Sequence, residues 1–213
     1  MTAVWRGRLV AVTTAIVAYT WFVLVGLDVT QKGEPLGLVS IEAAMLNHSS
    51  LIAWWFTWMG YAYVLGPLCL GLIVVAWRLP QWRARVLFGI VVLLLCWIGA
   101  DVFQHVFARP RRLDWVVKHE TAFSYPSSHA AIAVGFYLLW AEIVRRSELP
   151  AGVRGPVAVT LAAVAVGILW ARLALGAHYI TDLFGGTLLA LAVIASALAV
   201  FPTKVLSPPR GRP

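Results

Sequence analysis

The sequence predicts an all-α, polytopic membrane protein. It should form one bundle of six transmembrane helices over residues 1–203, with a short cytoplasmic tail at 204–213. Three observations carry this. Of 213 residues, 61% are hydrophobic and only 12% are charged, about half the charge of an ordinary soluble domain. The apolar residues fall in runs near 20 residues, the length that crosses a bilayer as a helix. The basic residues sit in short stretches between those runs, the pattern of a membrane topology signal.

The first run, 9–27, follows Arg6 and Arg8 as a signal peptide would. It meets Asp28 with no small-residue cleavage site and so reads as a retained span. The second, 51–77, is uncharged throughout and long enough to tilt. The third, 86–108, is apolar until Asp101. The fourth, 126–144, carries Glu142 near its end, and the fifth, 156–175, carries Arg172 near its end. The sixth is 182–201. Trp5, Trp77, Trp82, Trp115 and Trp140 lie at or near span ends, where amphipathic rings favour the interface. Between spans one and two, the spacing of Leu36, Leu38, Ile41, Ala44 and Met45 fits either a short interfacial helix or an irregular loop. The Pro- and Arg-rich tail is expected to be disordered.

Six spans place eleven of the 17 Lys and Arg residues on one face: Arg6, Arg8, Arg78, Arg83, Arg85, Arg145, Arg146, Arg154, Lys204, Arg210 and Arg212. The positive-inside rule makes that face cytoplasmic, with both termini inside. The formal net charge of +8 therefore reflects topology. With no nucleic-acid motif present, a nucleic-acid partner is not expected. Cys69 and Cys96 both lie in apolar runs and read as small buried hydrophobes.

The remaining polar residues form three blocks at the outer ends of spans. Block one, closing span three, runs Gln104-His105-Val106-Phe107-Ala108-Arg109-Pro110-Arg111-Arg112. Block two, opening span four, is Tyr125-Pro126-Ser127-Ser128-His129. Block three, joining spans five and six, holds Arg172, His178 and Asp182. Charges this near hydrocarbon are expensive and usually functional, and the guanidinium fork of arginine suits phosphate oxygens. Ser127 and Ser128 follow Pro126 at an expected helix start, where free N–H groups and hydroxyls attract anions. His178 and Asp182, four apart, share a helical face. The carboxylate can fix one imidazole tautomer and leave the other nitrogen free to attack. His129 is a second imidazole, suited to protonating a leaving group. Each residue alone has an ordinary explanation: a structural histidine, a Ser-Ser cap, or an arginine snorkelling to headgroups, which suits Arg109. His105, four after Asp101, either supports the site or is structural. Asp114, Lys118, His119 and Glu120 are either a headgroup contact or lid, or a solvated loop. Gly185 and Gly186 would let span six pack closely on a neighbour.

Blocks two and three resemble two signatures of the type 2 phosphatidic acid phosphatase (PAP2) superfamily, in its bacterial membrane lipid phosphatase branch. The family's P-S-G-H reads Pro126-Ser127-Ser128-His129, and its S-R-x5-H-x3-D reads Ala171-Arg172-x5-His178-x3-Asp182. Block one is a degenerate K-x6-R-P, best aligned as Gln104-x6-Arg111-Arg112. An alternative on Arg109-Pro110 would put Val102 at the lysine position. The resemblance implies a lipid phosphatase acting on a polyprenyl (undecaprenyl) diphosphate, phosphatidate or phosphatidylglycerol phosphate, with the first preferred. It implies that His178 is the phosphohistidine nucleophile, that Asp182 orients it, and that His129 protonates the leaving group. Arg172, Arg111, Ser127 and the Ser128 N–H would hold the phosphate, with Arg112 and Gln104 standing in for the family's proline and lysine. No metal or other cofactor is implied. The partners are the lipid phosphate and the bilayer, at the extracytoplasmic face of the plasma (inner) membrane. The alternatives are a phosphotransferase using the same intermediate, and a non-catalytic transporter or assembly protein.

Overall fold

The computed structural model describes residues 3–112 and 123–201. The expected linker residues Asp114, Lys118, His119 and Glu120, and the tail 204–213, lie outside them. The described chain is all-helical: α1 (Ala3–Lys32), α2 (Leu36–Met45), α3 (Leu51–Trp58), α4 (Ala62–Arg78), α5 (Arg83–Phe107), α6 (Ser128–Ile132), α7 (Leu139–Arg145), α8 (Ala151–Ala174) and α9 (Ile180–Val200). A π-helical stretch, Ala133–Leu138, joins α6 to α7. Four helices are long and apolar enough to cross a membrane, and α3 with α4 makes a fifth if that bent pair is one span. The remaining expected span, 126–144, is a helical run interrupted by the π stretch.

That run is the centre of the bundle. Ala130, Ala131, Ile132, Ala133, Phe136, Tyr137 and Ile143 are all buried. It contacts α5, α8 and α9, while α1 lies along α9. Trp140, expected at an interface, is instead buried against Gly89 of α5. Long α1, by contrast, leaves Val10, Ile16, Val17, Trp21 and Leu24 exposed, as a lipid-facing helix does.

Two features shape the site end. The second span is broken, with α3 and α4 meeting at a 48° bend around Met59, Gly60 and Tyr61. A Cβ on Gly60 would stand 2.4 Å from Cδ2 of His129, so the glycine makes room for that ring. The Met59 carbonyl, freed by the break, accepts from the Tyr137 hydroxyl at 2.7 Å. The stretch between spans one and two does contain the short helix, α2. It is apolar except for Ser40 and Glu42, and Glu42 is buried.

The ends of the bundle are also distinct. At one end, Arg85 opens α5 with a two-pronged bond to Glu148, at 3.1 and 2.9 Å. There Phe88 meets Phe201. At the other end lie α2, the end of α5 and the starts of α6 and α9. There Ala108, in the left-handed region at φ 49°, ends α5 and turns the chain.

Candidate active site

Three chain turns converge at the second end: 108–112 after α5, 123–128 before α6, and 175–182 between α8 and α9. Gly185 and Gly186 permit this. A Cβ on Gly186 would lie 2.4 Å from the Ser127 carbonyl oxygen, and one on Gly185 would lie 2.3 Å from the Tyr125 ring. With α9 this close, the Ser127 N–H donates to the Asp182 carbonyl at 3.1 Å. Tyr125 stacks on Phe22 and donates to its carbonyl at 2.6 Å, tying the turn to α1.

Asp182 is fully buried and is held on both oxygens. Oδ1 accepts from Nη1 of Arg109 at 2.5 Å. Oδ2 accepts from the Ser124 hydroxyl and, at 2.9 Å, from the Tyr179 N–H. The His178 Nδ1 lies 3.4 Å from the same oxygen. That is long for a hydrogen bond; in active sites without a ligand such contacts are often long and tighten when one binds. Burial pushes the His178 imidazole down to about 4; Asp182 opposes this, while the Arg111 and Arg172 charges reinforce it. His178 is therefore neutral at physiological pH, with Nε2 turned toward Nη1 of Arg111 at 3.5 Å.

His129 enters from the central helix. Its ring meets Tyr61 edge-on, with centroids 4.9 Å apart. It engages the Thr57 carbonyl, and Arg172, Arg111 and the His178 imidazole lie around it. Its Nε2 is buried with no hydrogen-bond partner among the described residues. Arg172 is buried at the end of α8, at 1% exposure.

The other sequence-derived candidates divide. Ser127 caps α6 by accepting from the Ala130 N–H at 3.3 Å, and Ser128 begins that helix. Gln104 is buried and donates to the Pro126 carbonyl at 2.9 Å, so it braces the turn. Arg112 bonds Glu42 of α2 and lies 5.2 Å from the Tyr179 ring. Arg109, read as a snorkelling side chain, does not snorkel. It is buried between Asp182 and Glu34, 4.1 Å above the Tyr179 ring. Burial works against its charge, and the two carboxylates more than offset that, so its affinity for the proton rises. His105 lies outside the site, exposed, with Nδ1 2.8 Å from the Asp101 carbonyl.

Sequence reasoning missed Glu34, Glu42, Ser124 and Tyr179. Glu34 bonds Arg109 at 2.9 Å, the Thr181 N–H at 3.3 Å and the Thr181 hydroxyl. Glu42 accepts from the Ile180 N–H at 2.6 Å as well as from Arg112. Both carboxylates thus occupy the positive N-terminus of α9. A signal existed: they are the only acidic residues between 33 and 50, and Glu42 stands alone in an apolar helix.

This layout is similar to known proteins. A solved structure described as the first transmembrane PAP2 type phosphatidylglycerolphosphate phosphatase, from Bacillus subtilis, matches with a TM-score of 0.68 at 20% identity. The match covers 86% of this chain and 94% of that one. No curated protein sequence matches. The family model for the PAP2 superfamily matches residues 86–206, more than half of the chain and all three polar blocks, and the chain therefore belongs to the PAP2 superfamily.

Proposed function

We propose that the chain is an integral membrane lipid phosphatase that works through a phosphohistidine on His178. The observation that carries this reading is the opposition of groups around that ring. Nδ1 faces a buried carboxylate, while Nε2 faces Arg111, with the Arg172 charge and the His129 ring close by.

In the first step, Nε2 of His178 bonds to phosphorus as the bond to the lipid oxygen breaks. His129 gives that oxygen its proton. In the second step, His129 takes a proton from water, water oxygen bonds to phosphorus, and the P–N bond breaks. Asp182 accepts from Nδ1–H in both steps and balances the charge on the ring. Arg111 and Arg172 meet the charge spread over the phosphoryl oxygens, with Ser127 and the Ser128 N–H beside them. Gln104 and Arg112, bonded to Pro126 and Glu42, shape the cradle. No metal is assigned a role.

The substrate is a phosphate monoester or pyrophosphate on a lipid. Phosphatidylglycerol phosphate comes first for testing because the Bacillus subtilis neighbour is described as acting on it. Phosphatidate and polyprenyl diphosphate follow. The site faces the extracytoplasmic side of the plasma membrane, at the bilayer edge, with both termini cytoplasmic. Purified protein should release free phosphate from at least one of the three lipids, with EDTA present. His178→Ala should lower release roughly a thousandfold or more. Wild-type release by that variant would sink the phosphohistidine. Phosphate recovered on a second lipid would make the enzyme a phosphotransferase.

A further inference from the structure

Behind the nucleophile lies a buried chain of charges that runs from the signature aspartate to a residue outside all three sequence signatures. It begins in the link between α1 and α2. Gly33, with φ at +78°, ends α1 and turns the chain. Glu34 then reaches Nη2 of Arg109 at 2.9 Å, and Nη1 of the same guanidinium reaches Asp182 at 2.5 Å. Exposure of the three side chains is 2%, 4% and 0%. The Thr181 hydroxyl sits between them, accepting from Nη1 at 2.8 Å and donating to Glu34.

The arithmetic of charge explains why three groups are used where two would neutralise. An arginine bonded to Asp182 alone would cancel its charge and weaken it as the acceptor for His178. Glu34 occupies the other arm of the fork. Glu34, Arg109 and Asp182 together carry a formal charge of −1. Once Nε2 bonds to phosphorus while Nδ1 keeps its proton, the His178 ring carries +1. The group of four is then neutral, in a site with little water to screen the charges.

We propose that Glu34 and Arg109 are positioning residues that act through Asp182 to orient His178 and to supply the charge matching its phosphorylated ring. This rests on the phosphohistidine reading above. Neither residue contacts substrate. Glu34 is held by Arg109 and the start of α9, on the Asp182 side of the imidazole, whereas Arg111 lies on the Nε2 side.

The test compares wild type, Glu34→Gln, Arg109→Lys and Arg109→Gln, with His178→Ala as control, on phosphatidylglycerol phosphate. Glu34→Gln keeps the shape and removes the charge. It should lower kcat about tenfold, in the range known for partners behind an oriented histidine, with KM unchanged. The 15N resonances of the His178 ring should shift. Arg109→Lys should retain more activity than Arg109→Gln, because it keeps the positive charge between two buried carboxylates. Wild-type kcat with an unmoved His178 ring in Glu34→Gln would overturn the proposal. So would a raised KM at constant kcat, which would make Glu34 a substrate contact. If His178→Ala retains full activity, the phosphohistidine reading fails instead. The ring resonances still decide the coupling, since they need no turnover, and Arg109→Lys reports on it if Glu34→Gln does not fold.

Discussion

At the scale of single residues, the environment decides chemistry more than residue type does. His178 and His129 are both buried, yet one has a carboxylate behind it and the other a backbone carbonyl. Because burial holds His178 near 4, the folded state resists its protonation. The sign follows: its contribution to stability is complete above about pH 6.5 and declines as pH falls toward 4. The His178 ring should therefore remain neutral at pH 5.5 by 15N NMR, and a midpoint near 6.5 would contradict its burial. Gly60 offers a second check. Gly60→Ala pushes a methyl into the His129 ring. It should lower kcat about tenfold or more, as small misplacements of catalytic groups do, with thermal stability changing less. An unaltered kcat would remove His129 from its proposed role.

At the scale of elements, two contacts set the site. The first is α9 against the turn before α6. Gly186→Ala puts Cβ against a backbone oxygen, which cannot rotate away as a side chain can. The variant should lose about 1–3 kcal/mol of stability and lose activity with it, measured by thermal unfolding and phosphate release. The second is α2, clipped over the start of α9 by Glu42. Burial pushes Glu42 up to about 7, the Ile180 N–H opposes this, the nearby Glu34 carboxylate adds to it, and Arg112 opposes it. A carboxyl raised in the folded state favours folding most at low pH, and that advantage disappears as pH rises from about 4.5 to 7. Wild type should therefore gain stability relative to Glu42→Gln as pH falls from 8 to 5, by at most about 3 kcal/mol. A constant difference in unfolding temperature across that range would count against this.

At the scale of the whole molecule, the charges sort by end. Arg85, Arg145 and Arg146 bond carboxylates at the end away from the site. Arg109, Arg111, Arg112 and Arg172 gather at the other end, where the positive-inside rule would not place them. The proposed orientation is open to direct measurement. With Cys69 and Cys96 replaced by alanine, Ser49→Cys should react with a membrane-impermeant thiol reagent in intact cells. Arg146→Cys should react only after permeabilisation. The reverse pattern would turn the site to the cytoplasm.

The sequence by itself determined the fold class and the family. Hydrophobic run length and charge placement report on the bilayer, which acts on each span separately, and motif spacing is local along the chain. Arg172, His178, Asp182 and His129 were legible for that reason. The need for Gly60 was not, because the ring it makes room for belongs to a histidine 69 positions away. Nor were the partners of Arg109 and Arg112. A carboxylate 75 or 70 positions distant can be matched to an arginine only once the helices are packed. The three signatures name the groups that the proposed reaction brings to the phosphate. Tertiary structure decided what stands behind them, because a buried charge must find its counter-charge in space and not along the chain.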